Sequence, residues 1–281
     1  MNVSVVSDHR CILGEGVFWH PERESLFWFD ILGQRMFEKA GDDLRFWDFD
    51  RPVSAAGWVD RDSLLVATAR DLVVFDLSSG TEKSLCALEA GIPANRSNDG
   101  RADPFGGFWI GTMGFDAEPG AGAIYRWFKG QLTPLYTDMT ITNAICFAPD
   151  GRRAYFTDTA TGVVRRVALD SEGWPAGAPE DWLDLRAEGL NPDGAVVDAS
   201  GNFWNAQWGA SRVACYGPDG AFREAVSFPA AQISCPCFGG PGLTTLFASS
   251  ASVGQEGDEM AGQTFSVKLS VRGQSEHRVL L

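Results

Sequence analysis

Six times along this chain of 281 residues a tight polar turn is followed at once by a short hydrophobic, aromatic-rich run. Pro21-Glu22-Arg23-Glu24 leads into Leu26-Phe27-Trp28-Phe29, and Asp60-Arg61-Asp62 into Leu64-Leu65-Val66-Ala67. Asp103-Pro104-Phe105-Gly106 leads into Phe108-Trp109-Ile110-Gly111, and Asp150-Gly151-Arg152 into Ala154-Tyr155-Phe156-Thr157. Asp198-Ala199-Ser200-Gly201 leads into Phe203-Trp204-Asn205-Ala206, and Gly240-Pro241-Gly242 into Leu246-Phe247-Ala248. The period is roughly 40 to 50 residues, the length of one four-stranded propeller blade. An all-β fold follows: a six-bladed β-propeller, its four-stranded antiparallel blades set around a central channel, as one domain over residues 1–281. The residues at the channel mouth become the place to look for function.

The remaining pattern agrees. Short apolar runs such as Asp71–Asp76 and Arg212–Tyr216 end at Gly, Asp, Pro or Ser, and no long segment has helical periodicity; residues 185–190 have room for one turn. An N-terminal strand, Val3-Ser4-Val5-Val6, is expected to close the ring on the last blade, against residues 263–269 or 277–280, because an open sheet edge invites wrong pairing.

A net charge of -14 argues against a nucleic-acid partner, which would demand a cationic face. No apolar run approaches the roughly 20 residues of a membrane span. The first residues lack a basic segment and an apolar core of the signal type, so a cytoplasmic, monomeric protein is expected. The six cysteines are scattered through strand-like contexts and read as buried thiols, with no disulfide framework.

The repeat also serves as a ruler. Four to seven residues or so before each polar turn, the same phase gives Glu15 in blade one, Ser54-Ala55-Ala56 in blade two, and Arg96, Asn98 and Asp99 in blade three. It gives Asn143 in blade four, Asp193 in blade five, and Ser234 and Cys235 in blade six. Acidic and amide side chains inside apolar strands need a compensating partner, and Arg96 alone cannot satisfy Glu15, Asp99 and Asp193. A divalent cation can. Glu, Asn and Asp offer hard oxygen ligands that suit Ca²⁺, Mg²⁺ or Mn²⁺, with Fe²⁺ and Zn²⁺ also admitted. The competing reading is that Gly-Glu-Gly, Asn-Asp-Gly and Pro-Asp-Gly are ordinary turns; their shared phase across separate blades weighs against it.

Leu13-Gly14-Glu15-Gly16, the run Arg96–Pro104, Gly111-Thr112-Met113, Ile141-Thr142-Asn143, Pro192-Asp193-Gly194 and Cys237-Phe238-Gly239-Gly240 together resemble the SMP-30/gluconolactonase/LRE-like family, in the right order over nearly the whole chain. The resemblance implies one divalent metal in the channel, with Glu15, Asn143 and Asp193 as ligands and Arg96 and Asn98 as contacts to substrate hydroxyls. It implies hydrolysis of a small-molecule sugar lactone to an aldonic acid, with Asp193 as ligand and proton acceptor and Asp99 as the second candidate for the base. The family often places a Glu in the loop after Gly-Thr-Met. Here that loop reads Gly114-Phe115-Asp116-Ala117-Glu118-Pro119, so Asp116 holds the nearest substrate-binding position, Glu118 is the alternative, and the loop is expected to act as a partial lid. Two other readings remain open: cleavage of phosphotriesters, and a calcium-binding propeller without catalysis.

Overall fold

The computed structural model describes residues 2–281. Strand β1 (Val3–Ser7) precedes five consecutive four-stranded blades. These are β2 (Gly14–His20), β3 (Ser25–Asp30), β4 (Arg35–Ala40) and β5 (Asp43–Asp48); then β6 (Val53–Asp60), β7 (Ser63–Thr68), β8 (Asp71–Asp76) and β9 (Thr81–Ala87). The third holds β10 (Asn95–Ala102), β11 (Phe108–Gly114), β12 (Gly122–Phe128) and β13 (Gln131–Met139), and the fourth β14 (Thr142–Phe147), β15 (Arg153–Asp158), β16 (Val163–Ala168) and β17 (Glu180–Asp184). The fifth is β18 (Asn191–Val197), β19 (Phe203–Trp208), β20 (Arg212–Tyr216) and β21 (Phe222–Ser227). The sixth starts with β22 (Ile233–Gly239), β23 (Thr245–Ser250) and β24 (Thr264–Lys268), and β1 completes it by antiparallel pairing with β24, Val3 opposite Val267 and Val5 opposite Phe265. The protein is thus a six-bladed, all-β propeller whose ring is closed by its own N-terminal strand. Of the two closure segments expected from sequence, the one at residues 263–269 is the strand.

The recurring turn has a common cause. It joins the innermost strand of each blade to the next one out. In four blades the aspartate that opens it accepts, through Oδ1, the backbone N–H two residues on: Asp60 from Asp62 (3.0 Å), Asp103 from Phe105 (2.8 Å), Asp150 from Arg152 (3.0 Å) and Asp198 from Ser200 (2.8 Å). Such an Asx turn replaces backbone pairing where the chain must reverse. His20, immediately before the first of these turns, is fully buried at the end of β2. Its Nε2–H donates to the Asp60 carbonyl (3.1 Å) while Nδ1 accepts the Arg23 amide (3.2 Å), which ties blade one to blade two.

There is no single central core. Six apolar clusters lie one at each blade interface, and bulky rings fill them: Trp28 between blades six and one, Phe27 and Phe29 between one and two, Trp127 between two and three, Trp109 between three and four, Phe203 between four and five, Trp204 between five and six. Each ring buries a large apolar area. All six cysteines are free thiols, and residues 186–188 form the expected single turn.

The chain after β24 crosses the end of the channel where the turns lie. Gln274 Nε2 donates to the Phe147 and Val197 carbonyls (3.1 and 2.8 Å), Glu276 pairs with the buried Arg101, and the Val279 amide donates to the Trp58 carbonyl (2.8 Å). Val279 is fully buried in the cluster between blades two and three. Residues 277–280 are therefore a plug and not a strand.

Deleting residues 2–8 should leave the β24 edge unpaired. We expect the thermal midpoint to fall by at least about 5 °C, with aggregation on heating, measured by calorimetry and light scattering.

Candidate active site at the channel mouth

Every inner strand begins at the mouth, and every one is irregular there. The pairing register slips between Glu15 and Phe18 in β2, Ser97 and Gly100 in β10, Asn143 and Cys146 in β14, and Pro192 and Ala195 in β18; β6 and β22 slip at the same phase. A bulge bends the strand and re-aims the side chains beside it. Two of the bulges pass through the left-handed region immediately after a candidate ligand: Gly16 at φ 58° and Ala144 at φ 58°. At Gly16 a Cβ would lie 2.1 Å from the Ser54 carbonyl oxygen, so only glycine fits. Ala144 bears a strain of about 1–2 kcal/mol in that conformation, which the surrounding packing must offset.

The bulges direct Glu15, Arg96, Asn98, Asn143 and Asp193 into one cavity of about 430 Å³ at the mouth. All five side chains are buried to within a few per cent. Asn98 is held by two bonds from its Nδ2, to the Thr142 carbonyl (2.8 Å) and to Asn143 Oδ1 (3.1 Å), while its Oδ1 accepts from Arg96 Nη1 (2.7 Å). Asn143 Nδ2 donates to Thr159 Oγ1 (2.9 Å), and that hydroxyl donates onward to the Pro192 carbonyl (2.7 Å). This fixes the orientation of the Asn143 amide and leaves Oδ1 as the end that faces Asn98 and the cavity.

The loops behind two of these residues are braced alike. Asp30, at the end of β3, accepts the Ile12 and Leu13 amides (2.9 and 3.0 Å), and Asp158, at the end of β15, accepts those of Thr140 and Ile141 (2.8 and 3.0 Å). In each case the braced loop ends two residues before a candidate ligand, Glu15 or Asn143. Asp30 also forms a compact group with His9 and Cys11, whose ligand-type atoms lie within 4.8 Å of one another. Both Asp30 oxygens there are engaged by backbone amides, and burial drives the Cys11 thiol far above its usual range, so the group serves as a loop brace.

The electrostatics show what the donor set lacks. Burial, then the charge of Asp99, pushes Glu15 up to about 8, against the pull of the Gly16 amide and Arg96. Asp193 is raised well above its usual value by burial and then by Glu15 and Asp99. Burial likewise lowers Arg96 to about 10. The Arg96 Nη1 is turned to Asn98 and the Ser97 carbonyl (3.0 Å), and its Nε has no partner. Buried carboxylates cost several kcal/mol each unless compensated. A hard divalent cation fits this set: the donors are all oxygen, come from three separate blades, and face a cavity.

Two residues that sequence assigns to the site do not line the cavity. Asp99 is buried but does not line the cavity; its Oδ2 accepts the Ile145 amide (2.7 Å), and burial lifts it to about 6 against the pull of Arg101. Asp116 is exposed in the turn after β11, its backbone N–H donating to Glu118 Oε2 (3.2 Å), and neither carboxylate lines the cavity. Sequence reasoning passed over Thr159, Met113, Asn191, Trp208 and Val253, which do line it, as site residues; the phase ruler marks inner strands, and most of these residues sit at the ends of second strands or in the loops after them.

With this geometry in view, comparison with known proteins is decisive about kinship. The family model described as the SMP-30/Gluconolactonase/LRE-like region matches residues 13–252. The chain belongs to this family. An L-arabinolactonase of Azospirillum brasilense is 36% identical over 268 residues, 92% of this chain and 87% of the relative. A pentonolactonase of Haloferax volcanii is 32% identical over 294 residues, covering 99% and 98%. The crystal structure of a calcium-binding protein, regucalcin, from Agrobacterium tumefaciens superposes with a TM-score of 0.96 at 36% identity, covering 99% of this chain and 97% of that one.

Two expectations follow. In the folded, metal-free protein Glu15 holds a proton between its ordinary 4.5 and about 8 that the unfolded chain releases, so stability from this group is present at low pH and lost as pH rises through that window. Glu15→Gln should therefore raise the denaturation midpoint in EDTA near pH 8 and leave it nearly unchanged near pH 5. Asp158→Ala, which frees the loop before Asn143, should weaken divalent-metal binding about tenfold by calorimetric titration.

Proposed function

We propose that this protein hydrolyses sugar lactones to aldonic acids, with one divalent cation, Ca²⁺, Mg²⁺, Mn²⁺, Zn²⁺ or Fe²⁺, held by Glu15, Asn143 and Asp193. The observation that carries the reading is that Glu15, Asn143 and Asp193, all with oxygen donors, and the pair Arg96 and Asn98 are buried around one cavity. The lactonase names of relatives that match nearly end to end support it. Fold alone would not, since propellers host many activities.

When bound, the cation supplies Lewis-acid polarisation of the lactone carbonyl and stabilises the oxyanion. The protein's own groups do the rest. Arg96 and Asn98 are locked to each other and to the β14 backbone; with both Asn98 amide hydrogens engaged by Thr142 and Asn143, Arg96 donates to the ring hydroxyls and Asn98 accepts from them through Oδ1, and both contribute through positioning. Asp193 lines the cavity and accepts a proton from the attacking water. The water oxygen bonds to the carbonyl carbon, the bond from that carbon to the ring oxygen breaks, and the proton passes to the ring oxygen. Asp99, held by the Ile145 amide below the floor, supports the local field and is the weaker candidate for the base.

Asp193→Asn should reduce kcat on a panel of aldonolactones at least about a hundredfold, and chelation should abolish turnover until metal is restored. Undiminished hydrolysis by metal-stripped protein in a pH-stat assay would overturn the proposal. The high similarity to a structure described as a calcium-binding protein favours one second reading, a calcium-binding propeller. Tight Ca²⁺ binding with no turnover across the lactone panel would select it.

A further inference from the structure

Leu13, Ile141 and Asn191 precede Glu15, Asn143 and Asp193 by two residues where the inner strands begin at the mouth, and all three line the cavity. Met113 lies opposite Arg96 in the β10–β11 ladder and bridges to Ile141. Val253 is hydrogen-bonded through its amide to the Ile12 carbonyl (3.0 Å) and leaves its side chain 41% exposed at the rim. Trp208 lies opposite Asn191.

The cavity is thus divided by depth. Its floor is buried and polar; its collar is Leu13, Met113, Ile141, Trp208 and Val253. The collar's polar groups are Thr159, Asn191 and the Trp208 indole N–H. The Thr159 hydroxyl is already committed to Asn143 and Pro192, and Asn191 and Trp208 are paired across β18 and β19, so the polar groups left over share one wall. Arg96, on the floor, is the one cationic residue among the lining residues, so an anionic exocyclic group finds no partner at the mouth.

We propose that the preferred substrate is a deoxy-aldonolactone, whose hydroxylated ring edge meets the floor and whose exocyclic end is a methyl group against the collar. The inference rests on the lactonase reading and narrows it. A terminal hydroxyl placed against Leu13, Met113, Ile141 and Val253, away from the wall of Asn191 and Trp208, would exchange water for apolar side chains with no hydrogen bond in return, and that exchange is unfavourable. A methyl group there gains apolar contact instead.

The test compares two lactones that differ by one oxygen, D-fuconolactone and D-galactonolactone, on the metal-loaded full-length protein. We expect kcat/KM to favour the deoxy compound by about tenfold to a hundredfold, most of it in KM. Val253→Asn, at an exposed rim position, and Leu13→Asn should each shrink that ratio at least about threefold by admitting the hydroxylated lactone, as expected when a polar partner is supplied. Equal use or a preference for D-galactonolactone would overturn this inference and leave the lactonase reading standing. No hydrolysis of either, or of any other lactone, would overturn both.

Discussion

Glu15 and Asp193 are buried side by side at the mouth of the channel, with Asp99 close behind them, and the nearest guanidinium is turned toward an amide and a carbonyl. That imbalance of buried charge is the constraint around which the mouth is built. Carboxylates so placed repel one another and resist ionisation, and the protein tolerates this only because the surrounding scaffold is over-determined. The bulges aim the side chains, Gly16 supplies a left-handed conformation that only glycine fits, Ala144 bears the strain of the same conformation, and the Asp30 and Asp158 braces fix the loops that precede two of the proposed ligands. Cost at the centre is offset by six apolar interfaces around it.

The repeat made much of this legible. Asp60, Asp103, Asp150 and Asp198 recur because each closes an Asx turn, and that local chemistry is visible in a linear string. Once the turn is fixed, strand alternation places one set of residues at the mouth, which is how Glu15, Arg96, Asn98, Asn143 and Asp193 could be named from phase. Where the ruler did not reach, the reasons are physical. Thr159 and Val253 enter the site from loops after second strands, whose lengths differ between blades. Asp99 follows Asn98 directly, and within a bulge the alternation that would sort the two faces is broken, so sequence could not say that Asp99 would turn to the Ile145 amide below the floor. Asp116 was chosen by its place in a loop, and a loop's side chains are aimed by contacts that no periodicity encodes. The burial of His20 has no local sequence signal, because its partner, the Asp60 carbonyl, belongs to another blade.

The division of the cavity into a charged floor and an apolar collar has the same origin. One strand position separates Glu15 from Leu13 and Asn143 from Ile141, yet the two levels meet water differently. The lower level must be dry for electrostatics to act strongly. The upper level keeps it dry by presenting groups that water does not hold tightly.

The C-terminal segment gives the channel its direction of traffic. With Gln274, Glu276 and Val279 wedged across the opposite end, the bore is a cul-de-sac. Reactant, solvent and spent acid share a single doorway, so each turnover must vacate the vestibule before the next molecule enters.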